Sequence, residues 1–117
     1  HLLPFRAMNG DTVGGFARLA TLVDSARAGG EPTLLLDAGD CFQGTPYYNF
    51  FKGEVEMKVM SAIGYDAMVM GNHELDDGSV NLVRQTSTLA TFPFLCANVD
   101  VRARSVTLAD PPDPPGN

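Results

Sequence analysis

The sequence has 117 residues, enough for one small domain. Hydrophobic residues make up 44%, with seven Phe and three Tyr, which supports a packed core and excludes a wholly disordered chain. Eight Lys and Arg stand against 14 Asp and Glu, a net charge of −6, so charge alone does not attach it to a nucleic-acid polymer, and no apolar run reaches the roughly 20 residues of a membrane span.

In chain order, residues 14–28 place Phe16, Leu19, Ala20, Val23 and Ala26 at helical spacing, and Gly29-Gly30 closes that helix. Thr33 to Asp37 is a short continuous apolar run, the pattern of a parallel strand covered on both faces. Residues 38–50, rich in Gly, Pro and aromatics, read as a long loop. A second helix is expected over 53–63, with Val55, Val59, Ala62 and Ile63 on one side and Gly64 as its cap. A second strand follows over 66–70, a weaker helix over 79–90 and a third strand over 92–97. The alternation predicts an α/β fold with a mostly parallel sheet flanked by helices, and one further strand before residue 1. The run Asp110-Pro111-Pro112-Asp113-Pro114-Pro115 suits neither helix nor central strand, so 100–117 is expected to be an irregular tail or a cut loop. Cys41 and Cys96 lack metal-type spacing and read as buried thiols.

In parallel sheets, ligands bind beyond the carboxyl ends of the strands. That rule selects Asp37-Ala38-Gly39-Asp40 and Gly71-Asn72-His73-Glu74, two polar loops about 30 residues apart, the length of a βα unit. A carboxylate, an amide oxygen and an imidazole there make a mixed oxygen and nitrogen site suited to Mn, Fe, Zn, Co or Ni. Asp40 could bridge two cations, Asn72 could offer a neutral oxygen, and His73 could be a ligand or an acid–base group that Asp76 orients. Singly, Asp40 and Asn72 are also ordinary turn residues, and a lone His is usually a satisfied polar group. Glu74 and Asp77 read as solvated or capping, and Arg18 as a surface or salt-bridging residue. Joint placement at two strand ends outweighs these separate readings.

Gly14-Gly15-Phe16-Ala17-Arg18, then "LLLDAGDCFQGT" (34–45), "IGYDAMVMGNHELDDG" (63–78) and "FPFLCANV" (92–99) resemble the calcineurin-like metallophosphoesterases, and more closely their 5′-nucleotidase branch. The resemblance implies an α/β sandwich and makes residues 1–99 an incomplete N-terminal part of its catalytic domain. It implies two divalent metal ions, with Asp40 as the bridging ligand and Asn72 as a ligand of one metal. His73 would face the phosphoryl group and Asp76 would hold it. The family's first motif, Asp-x-His, would precede residue 1, with His1 as a following, non-ligand histidine, and further metal histidines would come after residue 117. The implied activity is metal-dependent hydrolysis of nucleotides by a secreted or periplasmic parent, the fragment alone being inactive. Alternatives are cyclic-nucleotide phosphodiesterase, nucleotide-sugar hydrolase or thiosulfohydrolase chemistry on the same scaffold, or a non-catalytic binding module.

Overall fold

The computed structural model describes residues 2–97. His1, the end of the last quoted motif and the expected tail over 100–117 lie outside the described residues. The element order is β1 (Phe5–Arg6), β2 (Thr12–Val13), α1 (Phe16–Ala28), β3 (Leu36–Asp37), α2 (Pro46–Phe51), α3 (Glu54–Ile63), β4 (Ala67–Val69), a 3₁₀ turn (His73–Leu75), α4 (Gly78–Leu89) and β5 (Phe94–Leu95). β1 and β2 form a small antiparallel pair, which periodicity did not suggest. β3, β4 and β5 form one parallel sheet in that order, with Leu36 opposite Ala67, Asp37 opposite Met68 and Met68 opposite Phe94. The expected parallel α/β arrangement is present, with shorter strands.

Side-chain alternation divides this sheet into two faces. Met68 is buried, and Leu35, Met70 and Phe94 pack beside it onto the cluster of Phe42, Tyr48, Met57, Met60, Tyr65, Leu82 and Phe92. Leu34, Leu36, Val69 and Leu95 point the other way and are exposed. The apolar run at 33–37 is therefore covered on one face among the described residues, not on both as its composition suggested.

The region expected to be a loop, 38–50, contains most of α2. Thr45 caps it by accepting the Tyr48 N–H, and Pro46 fits the first turn, where its missing N–H costs nothing. Lys52 (φ 53°) and Gly53 (φ 98°) then take consecutive left-handed conformations that turn the chain into α3. A Cβ on Gly53 would lie 2.4 Å from the Phe42 ring, so this turn tolerates no side chain. α3 ends at Gly64, where the Arg27 guanidinium donates to Ile63 O (2.7 Å) and Gly64 O (2.5 Å) and so caps α3 from α1.

One buried group conflicts with its surroundings. Glu56 on α3 is 2% exposed, and neither of its carboxylate oxygens has a hydrogen-bond partner. Burial pushes its pKa up. The folded state therefore holds this proton to higher pH than the unfolded chain. The stability this provides is present below the ordinary glutamate range and is lost as pH rises through the folded pKa. Glu56→Met should raise stability near neutral pH by about 1–3 kcal/mol, the cost of an unsatisfied buried polar group. Urea unfolding at several pH values checks this: the gain should grow with pH, and a constant or negative difference would contradict it.

Candidate active site

The carboxyl ends of β3 and β4 open into the two polar loops, and glycine lets the loops touch. A Cβ on Gly39 would lie 2.6 Å from the Gly71 backbone N, and one on Gly71 would lie 2.2 Å from Asp40 Oδ1. Asp40 itself has φ 61°, a left-handed conformation that costs a non-glycine residue about 1–2 kcal/mol. This turn brings its carboxylate back over the second loop, where Oδ1 accepts the His73 backbone N–H at 3.0 Å. Asp40 Oδ2 and the Asn72 amide make no hydrogen bond among the described residues.

The 3₁₀ turn places His73 and Asp76 on one side, with His73 Nδ1 2.8 Å from Asp76 Oδ2. That bond is the main cause of a raised His73 pKa, and the charges of Asp40 and Glu74 add to it. The same contact holds the Asp76 pKa down, helped by Gln43, whose side-chain amide donates to the same Oδ2. His73 Nε2 has no partner among the described residues, and the side chain is 38% exposed. The imidazole is thus anchored through one nitrogen and presents the other.

Two expectations fail here. Glu74 is not solvated: it is fully buried, and its carboxylate accepts four backbone N–H groups. Oε2 takes Asp40 N (2.9 Å) and Gly71 N (2.7 Å), while Oε1 takes Cys41 N (2.7 Å) and Phe42 N (3.2 Å). Asp77 stands at the start of α4 but its side chain does not cap it. It accepts the Tyr48 hydroxyl at 2.5 Å and pairs with Lys52 at 3.2 Å, tying α2 to this loop. Burial, then Asp77, pushes the Tyr48 pKa up. Asp37 is also turned inward: it accepts the Gly39 N–H at 2.9 Å, and burial raises its pKa. Arg18 lies at the surface as expected, donating to the Thr12 carbonyl, and Cys41 and Cys96 are half-buried. The sequence reasoning missed Glu74 and Gln43. Glu74 sits within the quoted Gly-Asn-His-Glu run, but hydropathy cannot show that a carboxylate will meet main-chain donors.

The sequence profile of calcineurin-like phosphoesterases matches residues 8–107. The chain belongs to the calcineurin-like phosphoesterase family. A snake venom 5′-nucleotidase of Gloydius brevicauda is 48% identical over 89 residues, which cover 76% of this chain and 15% of that protein. The 5′-nucleotidase of Bos taurus is 46% identical over 90 residues, 77% of this chain and 16% of that protein. Among solved structures, the 5′-nucleotidase precursor from Thermus thermophilus superposes with a TM-score of 0.75 at 37% identity, covering 84% of this chain and 19% of that one. The Haemophilus influenzae NAD nucleotidase gives 0.74 at 31% identity, covering 83% of this chain and 20% of that one. The chain thus spans roughly a sixth of the length of the curated relatives it matches.

Calcineurin-like phosphoesterases use divalent metal ions. The donors present fit part of such a site. Asp40 Oδ2 and the Asn72 amide are oxygen donors left uncommitted on adjoining strand ends, as a borderline divalent cation requires. Metal sites of this kind use about three or four protein ligands, and among the described residues no three His, Cys, Asp or Glu side chains gather to hold an ion.

Proposed function

We propose that this chain is the N-terminal part of a nucleotide-hydrolysing phosphoesterase, with Asp40 and Asn72 as metal ligands, His73 as the group that stabilises charge on the phosphoryl or leaving-group oxygens, and Asp76 as the residue that holds it. Residues 1–99 would then belong to the catalytic domain and 100–117 to a tail or loop beyond it. The observation that carries this reading is the His73 imidazole, held by Asp76 through Nδ1 and free at Nε2 among the described residues, on a residue that follows Asn72 and whose backbone N–H bonds Asp40 Oδ1. A pair of divalent cations bound there would supply positive charge for the phosphate and acidify a water nucleophile. Asp40 and Asn72 would fix the position of that charge. Asp76 keeps the imidazole oriented and favours its protonated form, so that Nε2–H can donate to a phosphoryl or leaving-group oxygen as negative charge builds. A secreted or periplasmic setting belongs to the same proposal, and the venom 5′-nucleotidase relatives support it.

A second reading, cleavage of a dinucleotide phosphoanhydride, is favoured by the likeness to NAD nucleotidase. One assay tests both. The full-length protein, stripped by chelator and reloaded with Mn or Zn, is offered a nucleoside 5′-monophosphate, NAD, a nucleotide sugar, a cyclic nucleotide and a thiosulfate ester. Metal-dependent release of phosphate from the monophosphate is the expected result. Turnover of NAD alone would select the second reading, and turnover of none would end both.

A further inference from the structure

We propose that Glu74 is the positioning residue that fixes the geometry of the metal-binding oxygens. The inference rests on the proposed roles of Asp40 and Asn72, and it concerns how these residues are placed. Asp40 occupies a left-handed conformation that costs a non-glycine residue free energy. Its own N–H and those of the next two residues all converge on one buried carboxylate. The other loop adds the Gly71 N–H, the residue immediately before Asn72, to the same Oε2 that takes Asp40 N–H. A single side chain therefore ties the backbone beneath both ligands to one point. All four partners are donors, which suits an acceptor-only group. Both carboxylate oxygens are used as acceptors, and their full burial keeps water from competing. Glu74 has no open path to substrate, so its effect on a bound cation must pass through Asp40 and Asn72.

The substitutions separate this role from simple support of the fold. Glu74→Gln keeps the size but turns an NH₂ toward two of the backbone N–H groups, so either Asp40 and Gly71 or Cys41 and Phe42 lose their acceptor. Glu74→Asp keeps the charge but is one methylene too short to reach both loops. In the full-length protein, titration calorimetry with Mn should show binding weakened about 10–100-fold in Glu74→Gln, the usual cost of losing an outer-shell support, and less in Glu74→Asp. At saturating Mn, kcat should return to within a few-fold of the parent value. Mn affinity within twofold of the parent in a folded Glu74→Gln variant would overturn the proposal. Should that variant not fold, hydrogen exchange on the unsubstituted protein still tests it. The amides of Asp40, Cys41, Phe42 and Gly71 should exchange at least tenfold more slowly than other loop amides, and exchange at ordinary loop rates would overturn it. If the parent binds Mn as expected but hydrolyses no nucleotide, the substrate reading fails while this inference stands.

Discussion

Replacing His73 by Asn in the full-length protein is expected to lower kcat by about 10²–10³ and leave the metal content unchanged. Asn cannot carry the positive charge that the Asp76 contact favours on the imidazole, nor place a donor where Nε2 lies. The side chain is not among the proposed ligands, so bound metal should survive the change. Asp40→Asn should do the reverse and lower metal occupancy first, because a carboxylate proposed as a metal ligand would become a neutral amide. Asp76→Asn should follow His73→Asn in kind but be milder, since the ring remains and Gln43 still contacts the same position. Metal stoichiometry and nucleotide hydrolysis measured on all three variants decide the matter. Loss of metal from His73→Asn as complete as from Asp40→Asn would make His73 a ligand and end the proposed mechanism.

Phe42→Ala is expected to destabilise the protein by about 3–5 kcal/mol, the range for emptying a buried aromatic site. Phe42 has no exposed surface and lies in the core cluster, its ring 5.6 Å from that of Tyr48. The turn at Gly53 closes directly onto it, so backbone from the start of α3 is packed against the ring. Collapse into the void would have to move that turn, which favours the upper part of the range. Such a loss is a large share of the roughly 5–15 kcal/mol that typically holds a domain folded. Urea unfolding of the parent and variant measures it, and a difference below about 1.5 kcal/mol would mean that the site repacks freely.

The strand ends and their polar cargo were legible because two independent patterns coincided. Apolar runs at 33–37 and 66–70 each gave way to Gly followed by a ligand-type side chain, and the parallel register of Asp37 with Met68 brings those ends together. The pairing of His73 with Asp76 was legible from a separation of three residues, which the 3₁₀ turn realises. α2 was hidden because Pro46-Tyr47-Tyr48-Asn49-Phe50-Phe51 is aromatic and poor in helix formers; its start signals, Thr45 and Pro46, looked like loop punctuation. Glu74 and Asp77 were misread for a different reason. Most of their partners are distant, the backbone amides of residues 40–42 for Glu74 and Tyr48 and Lys52 for Asp77, and local sequence carries no trace of such distant donors.

The reach of Glu74 also bears on the order in which the molecule assembles. Its bonds to Asp40, Cys41 and Phe42 close segments of 34, 33 and 32 residues. Closing so long a stretch loses chain entropy before any of these bonds can compensate, whereas α3, lying wholly between them, forms from neighbours in sequence. The two strand ends are therefore expected to lock together after the transition state for folding. Truncating Glu74 should then speed unfolding and hardly slow folding, with a φ-value near zero in stopped-flow chevrons, and a value near one would place the closure in the nucleus. The catalytic geometry would be the last part of this domain to form and the first to come apart.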